Sequence, residues 1–512
     1  MKENLNPVIV GVSQYKQSKT IEEPLDPLRL IIKVSKQAIK DIKTPKIKNS
    51  IDHIYMVNIN SWSYKDAPKE LSDALDLTPL EKTYLSDGGN TPQLLVNRAA
   101  RKIAMGDASA ILITGGEAAY SLYQSKKGNR TLNWPKKEIP SYMEGEIWHG
   151  INEFENKYKL IVPSYSYALF ETALRHKKTR STSEHNNVIG NLFHHFSQIA
   201  SQNPYAWSQK VYTKKRIITP SKKNRLINHP YTKRMCSNMF VDQSAAIVMT
   251  TDKLAQKLEI PQKLWVYPMG GADYENVFSI CQRPELYTSP AARYGCQDAL
   301  SQSGLQIEDI DAFDIYSCFH SIVEIIKREI GIPKKKKRDL TLTGGLPYFG
   351  GPWSNYSLHA IAKTVSLIRK DPSKKIMVVA NGGYNTKQSF GIYGKEPPKI
   401  SWDTVREKKS QKLIFQKQLP EPIHKAEGFI KIEGHTIIYN REGIPEKGIV
   451  IGTLNQGPKR TLAFLKGNSR ILLKLANLEL VGISVPVHFS FESGYNIISA
   501  TSCLDYVENN KS

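Results

Sequence analysis

The segment SDGGNTPQLLVNRAARKIAMGDASAILITGGE, residues 86–117, decides the fold. Its order predicts a glycine turn, a helix, a strand and a second glycine turn. The turn GGNT at 88–91 supplies capping side chains, and Pro92 suits the first helical position. Apolar residues then recur at helical spacing until Gly106, and an apolar run follows at 108–114. A short apolar run between glycines is typical of a strand in a buried sheet.

The chain before this segment extends the same alternation. A strand is predicted at 7–15, an amphipathic helix at 28–42 and a second strand at 51–57, whereas 58–85 is predicted as loop and short helix. The resulting order of strand, helix, strand, helix, strand favours a layered α/β domain.

The later part of the chain repeats this order. Residues 355–383 contain a predicted helix at 357–369, a strand at 376–380 and a Gly-Gly pair, as residues 91–116 do. Sequence identity between the two stretches is slight, but the matching order of elements indicates an internal duplication.

The long segment between the two copies has a different composition. Residues 119–230 hold scattered tryptophans and prolines, two predicted helices at 166–175 and 185–201, and several histidines. No histidines there form a metal-ligating motif such as HExxH, so we expect packing or surface histidines and no metal.

Charge is the most unusual feature of the composition. The 512 residues carry 71 Lys and Arg against 48 Asp and Glu, a net charge of +23, with runs at 214–216, 222–223 and 334–338. Solvated surface loops are one interpretation, a nucleic-acid surface is a second, and attraction of the phosphates of a ligand is a third. Aromatic residues are not regularly interleaved among the runs, which leaves all three open.

The cysteines and the apolar runs indicate a compartment. Five scattered cysteines form no CxxC pair, so we expect a reducing cytoplasm and no structural zinc. No apolar run reaches about 18 residues, and the N-terminus lacks a long apolar stretch, so we expect neither a membrane span nor a secretory signal.

The last part of the chain predicts a separate small β domain. Short strands are predicted at 429–439, 448–454, 461–465, 478–487 and 496–500. Residues 440–443, NREG, suit a hairpin turn between the first two. The segment shows no evident aromatic platform, so a scaffold role is as well supported as nucleic-acid binding.

Residues 86–117 resemble the nucleophile helix of the thiolase superfamily, the acyl-CoA acyltransferases, in which GDA, an apolar strand and GGxE follow the helix. Further matches are PYTK with VDQSAA, YSCF, GGLPYFGGP and NGGYNTK. Together they are similar to the type 1 thiolase-like proteins, which carry an extra C-terminal domain. The resemblance implies an α/β fold of duplicated βαβαβ units in five αβαβα layers, followed by a small all-β, OB-like barrel.

This comparison divides the chain into four parts. Residues 1–250 form the N-terminal thiolase-like half, with 119–230 as a loop-domain excursion, and 262–395 form the second half. A linker at 396–422 leads to the small β-barrel domain at 423–505.

The resemblance also locates the positions where thiolases keep reactive groups. The nucleophilic cysteine stands seventeen residues before the glycine of GDA, and counting back from Gly106 reaches Gly89. The histidine of the Gly-His-Pro turn falls on Gly351, and the Cys-x-Gly turn falls on 380–383, ANGG. The fourth motif, His-Asp-Cys-Phe in the SCP2-type branch, is Tyr-Ser-Cys-Phe at 316–319. The glycine turns survive while the reactive side chains are replaced.

The resemblance implies a protein that handles acyl-CoA, similar to acetyl-CoA acetyltransferases of lipid metabolism, with a coenzyme A thioester as ligand and no bound cofactor. Cys318 and Tyr316 are the catalytic candidates, although Cys318 also suits a buried apolar position. A homodimer, an active acyltransferase using Cys318, and a scaffold whose barrel engages a protein or single-stranded nucleic acid stay open. The expected substrate-binding residues are Gly89, Asn90, Thr91, Ser317, Gly351, Asn381, Gly382 and Asn385.

Overall fold

The computed structural model describes residues 5–145, 150–333, 338–404, 409–455 and 457–509. Lys334 to Lys337, which make up most of the longest basic run in the sequence, lie outside these residues. Within the described residues, no helix is long and apolar enough to cross a membrane.

The first half of the chain builds a five-stranded sheet in the order β1-β7-β4-β2-β3. Its last strand before the excursion, β4, pairs with β7 along its whole length. The elements are β1 (Pro7–Lys16), α1 (Pro27–Asp41), β2 (Ile51–Val57), α2 (Ala67–Ala74), β3 (Glu81–Leu85), α3 (Thr91–Met105), β4 (Ala110–Ala118), α4 (Ala119–Lys126), α5 (Glu153–Lys157), α6 (Pro163–Lys177), α7 (Thr182–Ser201), α8 (Lys214–Ile218), β5 (Leu226–Asn228), β6 (Tyr231–Thr232), β7 (Asp242–Thr251) and α9 (Asp252–Lys257).

The second half repeats this arrangement with four strands in the order β8-β11-β10-β9. These strands correspond in turn to β1, β7, β4 and β2, which confirms the predicted duplication. The elements are β8 (Tyr267–Glu275), α10 (Pro290–Ser303), β9 (Ala312–Ile315), α11 (His320–Glu329), α12 (Tyr356–Lys370), β10 (Ile376–Gly382) and β11 (Lys387–Gly394).

The two sheets and their helices form five layers. Helix α1 covers the outer face of the first sheet, α3 and α12 pack against each other between the sheets, and α10 covers the outer face of the second. One fully buried apolar cluster, which includes Leu95, Ile113 and Ile361, fills the central layer. The N-termini of α3 and α12 are thereby fixed by packing on both sides.

Two local predictions for the first half were wrong. Strand β3 lies within the segment predicted as loop and short helix. The predicted second glycine turn is instead part of β4, since Gly115 and Gly116 pair with β7. A Cβ atom at Gly115 would lie 2.5 Å from the side-chain oxygen of Asn355, so glycine here serves close packing against the start of α12.

The C-terminal part forms a closed five-stranded barrel. Its strands pair in the order β13-β14-β16-β15-β12, and β12 pairs again with β13. The strand predicted at 478–487 begins only at Ser484, and the helices α14 and α15 of this domain were not predicted. The elements are α13 (Lys409–Phe415), β12 (Gly428–Tyr439), β13 (Pro445–Leu454), β14 (Arg460–Lys466), α14 (Ser469–Leu475), β15 (Ser484–Ser490), β16 (Tyr495–Ser499) and α15 (Ala500–Asn509).

Candidate functional site

A cavity of about 1080 Å³ opens where the excursion meets the thiolase-like body. The N-terminus of α3, the turns before α11 and α12 and the loop after β10 form its inner wall. Pockets for drug-sized ligands measure about 300–1,000 Å³, so this cavity has room for a larger ligand. Six predicted site residues line it: Gly89, Tyr316, Cys318, Gly351, Asn381 and Gly382.

The other four predicted binding residues do not line the cavity. Asn90, Thr91, Ser317 and Asn385 are buried behind its wall, because their side chains are used in internal hydrogen bonds. The partners are the Ser389 hydroxyl for Asn90, the Ser86 carbonyl for Thr91, the Leu346 amide for Ser317 and the Thr288 carbonyl for Asn385.

The position of the thiolase nucleophile is closed by a tyrosine. A Cβ atom at Gly89 would lie 2.5 Å from the hydroxyl of Tyr316 and 2.4 Å from the carbonyl oxygen of Asn381. Any side chain at Gly89 would therefore displace the phenol or the backbone. The Tyr316 hydroxyl thus fills the space beside Gly89, the position that the family resemblance assigns to the nucleophile.

Tyr316 keeps its proton. Burial, and then the neighbouring Cys318, raise the pKa of its phenol above the ordinary value. In the described part of the chain no residue forms a hydrogen bond with its hydroxyl. The side chain is only partly buried and lines the cavity, so its hydroxyl is free to donate to a ligand there.

Cys318 lies in an environment that disfavours a thiolate. It is 8% exposed, and burial raises the pKa of its thiol to about 12, although the Tyr167 hydroxyl acts in the opposite direction. Tyr167 itself accepts a hydrogen bond from Asn381 Nδ2 at 3.0 Å, which leaves its proton for the sulfur. A protonated thiol with a phenol donor is a weak nucleophile.

Cys318 is one of two thiols in the lining of this cavity. Cys236, which follows the short β6 strand, lines the same cavity and is partly exposed. Burial raises the pKa of its thiol to about 12 as well. Sequence could not show this approach, because 82 positions separate the two residues.

Among the described residues that line the cavity, no histidine takes the place of the base that the resemblance expects at Gly351. The backbone amide of Gly351 donates to the Asn238 carbonyl at 2.9 Å, and the turn continues into α12. His359 on that helix is fully buried and its Nδ1 lies 3.0 Å from the side-chain oxygen of Gln14. Burial lowers the pKa of His359 to about 3, so it is neutral and remote from the cavity lining.

The outer part of the cavity is positively charged. Lys223, Arg225, Lys233 and Arg234 line it, and Asp87 is the acidic residue of the lining. The guanidinium of Arg234 lies 4.8 Å from the centre of the Tyr212 ring, which also lines the cavity. One of the basic runs seen in the sequence, at 222–223, therefore contributes to this lining through Lys223. Such an arrangement of cations favours an anion.

A buried cluster of ionisable side chains stands behind the cavity and was not predicted. Glu171 on α6, His185 on α7 and His320 at the start of α11 place their polar atoms within 4.8 Å of one another. Three separate helices supply them, so no sequence motif marks the group. In the sequence, the only indication of this cluster was that His320 directly follows the Tyr-Ser-Cys-Phe motif.

The described fold matches a known structure over nearly the whole chain. A monomeric SCP2-thiolase-like protein type 1 from Mycobacterium smegmatis is 29% identical, with 96% of this chain and 98% of that chain covered and a TM-score of 0.82. A model of the thiolase-like protein type 1 additional C-terminal domain matches residues 410–490. A search of curated proteins returns no match.

More distant structures share the fold of the body. Acetyl-CoA acetyltransferase from Syntrophomonas wolfei is 16% identical, with 77% of this chain and 100% of that chain covered and a TM-score of 0.55. Human mitochondrial 3-ketoacyl-CoA thiolase in complex with CoA is 14% identical, with 76% and 98% covered and a TM-score of 0.53. These structures show that the body of the chain has the thiolase fold.

The barrel narrows this likeness. The chain resembles the type 1 thiolase-like proteins, and residues 410–490 match their additional C-terminal domain.

Proposed function

We propose that this protein binds a coenzyme A thioester in the cavity and forms no covalent acyl-enzyme. One observation carries this proposal: the cavity is retained while the Tyr316 hydroxyl fills the place of the nucleophile beside Gly89. Thiolase chemistry splits acyl transfer through a cysteine thioester, and neither the cysteine nor its histidine base is available here. Any reaction is therefore one that proceeds on the intact thioester.

The charge of the cavity supports a coenzyme A ligand. Four cations at its outer part suit a polyanion, and Arg234 with Tyr212 suits an aromatic base. The inner part of the cavity presents the Tyr316 phenol and the Cys318 thiol, and these neutral groups suit the thioester group. The Tyr316 phenol and the positive end of α3 would polarise the thioester carbonyl.

This assignment sets the expected role of each site residue. Tyr316 donates a hydrogen bond to the carbonyl oxygen, and Cys318 lies beside it as a neutral thiol. Gly89, Gly351, Asn381 and Gly382 shape the wall. An active acyltransferase that uses Cys318 is the alternative to this proposal, and it would require the thiol to ionise although burial raises its pKa.

We further propose the four-part division of the chain given above, with an OB-like topology for the barrel. The closed strand order and the helix α14 between β14 and β15 support that topology. A role in lipid metabolism in the cytoplasm is in keeping with five unpaired cysteines.

A second candidate function is binding of single-stranded nucleic acid by the barrel. Phe491 is 81% exposed, and its ring lies 5.1 Å from that of Phe489, with Lys425 within 5.5 Å of both. Such a pair beside a lysine can stack on bases, a feature that the sequence alone did not reveal. Salt-sensitive binding of an oligonucleotide, lost in Phe491→Ala, would favour this candidate.

The test is calorimetric titration of the purified protein with acetyl-CoA and with a longer acyl-CoA, followed by assay of free CoA in the same samples. Binding without CoA release is the expected result. Release that Cys318→Ala abolishes would show that the thiol is catalytic. Absence of binding by both ligands would overturn the proposed function and direct attention to the barrel.

A further inference from the structure

The buried cluster behind the cavity has a defined hydrogen-bond pattern. Glu171 Oε1 lies 2.7 Å from His185 Nε2 and 2.7 Å from His320 Nδ1, and Glu171 Oε2 accepts from the Tyr231 hydroxyl at 2.7 Å. On its other side, His320 Nε2 lies 3.3 Å from Glu324 Oε2. All of these side chains except Glu324 are almost fully buried.

The partners fix the proton on His185. Its Nδ1 lies 3.4 Å from Nη1 of Arg180, a group that can only donate, so Nδ1 accepts and Nε2 carries the hydrogen that Glu171 receives. A metal ion at this place would need the lone pair of Nε2, and the hydrogen on Nδ1 would then face the guanidinium. This hydrogen-bond pattern therefore places a proton between His185 and Glu171, which disfavours a metal ion at this site.

His320 carries two protons. Both of its ring nitrogens face carboxylates, which accept hydrogen bonds when ionised. Arg180 completes the group with a two-point contact to Glu324 at 3.0 and 2.9 Å. The charges of Glu171, Glu324, Arg180 and an imidazolium at His320 sum to zero, which a buried group requires.

We propose that His320 is a permanent buried imidazolium that positions the inner wall of the cavity by tying α11 to α6. His320 is therefore a positioning residue, since it acts through the residues on either side and does not touch a ligand. This inference rests on the proposed function, because the wall it positions is that of the thioester site.

Tyr167 and Phe319 connect the ion pair between Glu171 and His320 to the cavity. Tyr167 and Glu171 stand four residues apart on α6, and hence on one face of that helix. Phe319, just before His320, stacks on the ring of Tyr167 at 4.8 Å and packs against that of Tyr231 at 4.9 Å. The ion pair between Glu171 and His320 therefore sets the distance between the Tyr167 phenol and the Cys318 thiol.

The titration behaviour agrees with this geometry. Burial alone would lower the pKa of His320, but the charge of Glu171, with hydrogen bonds to Glu171 and Glu324, raises it to about 9. Burial likewise opposes ionisation of Glu171, yet His320 and His185 hold the pKa of that carboxyl below its ordinary value. His185 has its pKa lowered, chiefly by burial, and stays neutral.

The first test measures the proton itself on the wild-type protein. NMR of isotope-labelled histidine, assigned with His320→Gln, should show His320 as an imidazolium at pH 7.5 that titrates near pH 9. A midpoint near the ordinary value of about 6.5 would overturn the proposal. So would one equivalent of tightly held metal per chain in elemental analysis, because it would require a different proton pattern.

The second test measures the consequence for the cavity. Glu171→Gln keeps the size of the side chain but removes its charge. The pKa of His320 should then fall below 7.5, so that the imidazole is neutral at pH 8. Acyl-CoA affinity at pH 8 should then fall roughly tenfold or more, and the loss should shrink at pH 5.5, where the imidazole can recharge. Unchanged affinity at both pH values in a folded Glu171→Gln protein would overturn the positioning role.

A matched control is Glu479→Gln, which removes another carboxylate paired with α6, through Arg175, outside the cluster. It should leave affinity and its pH profile unchanged. If no variant and no wild-type sample binds acyl-CoA, the proposed function fails, whereas the NMR titration still decides the state of His320. The two failures are thus distinguishable.

Discussion

The hydroxyl of Tyr316 lies 2.5 Å from the position that a Cβ atom would take at Gly89. A side chain at position 89 and the tyrosine at position 316 therefore compete for the same space. At this point the cavity presents a phenol that keeps its proton.

Gly89→Ala should destabilise the protein, because its Cβ atom would also meet the Asn381 carbonyl at 2.4 Å. Overpacking of this kind costs about 1–3 kcal/mol, which thermal unfolding detects. Gly457→Ala is the control, since the nearest atom to its Cβ is 3.5 Å away. Equal unfolding temperatures for Gly89→Ala and wild type would show that the site is looser than described.

Tyr316→Phe should weaken acyl-CoA binding while leaving free CoA unaffected, because only the thioester presents the carbonyl that the phenol faces. Loss of one hydrogen bond is worth about 0.5–1.5 kcal/mol, or roughly a two- to twelvefold change in Kd. Calorimetry with both ligands measures the difference. Tyr439→Phe in the barrel is the control, and an equal loss for CoA and acyl-CoA would contradict the assignment.

Alkylation should distinguish the two cavity thiols from ordinary cysteines. Burial raises the pKa of Cys318 and of Cys236 to about 12, so the thiolate fraction at pH 7.5 is on the order of a thousandfold below that of a free cysteine. Mass spectrometry after iodoacetamide treatment should find both unmodified in the folded protein and modified in denaturant. Rapid labelling confined to Cys318 would instead support an active acyltransferase.

The cations of the cavity opening should make binding sensitive to salt. Lys233→Gln should weaken binding of both CoA and acyl-CoA and flatten its dependence on ionic strength, because exposed charges act through a screened field. Lys82→Gln, on the exposed side of β3, is the matched control. If binding does not depend on salt in the wild type, in Lys233→Gln or in Lys82→Gln, the charge of the cavity no longer supports a polyanionic ligand.

Sequence predicted the body of this protein well, because both halves rest on local signals. Gly106 adopts a left-handed conformation at the end of α3 and stops the helix where predicted, and α12 extends the helix predicted at 357–369 by one residue at each end. Strand β3 was missed because its edge position leaves a short, partly charged strand, EKTYL, without an apolar run.

The site was predictable only in part, for a geometric reason. Residues on turns that carry a motif, such as Tyr316 and Gly89, could be located from their spacing. The contacts that explain them could not, since the Cys236 thiol and the Glu171 carboxylate reach the site from other elements. The four predicted binding residues that lie behind the cavity wall were misassigned because the sequence does not show which way a side chain points.

Acid should destabilise the junction of the barrel with the excursion. His229 and His435 stack there with ring centres 6.2 Å apart, and three of their four ring nitrogens are buried without a hydrogen-bond partner. Burial lowers the pKa of His229 to about 3 and holds that of His435 well below its ordinary value, with nearby Arg175 adding to both effects.

The sign follows from where the protons bind. A histidine whose pKa is lower in the folded state binds more protons when unfolded, so its full stability is present above about pH 6.5 and is lost as the pH falls toward the folded value. At pH 5 each such histidine costs about 2 kcal/mol relative to pH 7.5. His435→Phe should therefore lose less stability between these pH values than wild type in denaturant titrations. His488→Gln, an exposed position on the barrel, should behave as wild type does, and an identical acid loss in His435→Phe would show that the stacked pair does not control the junction.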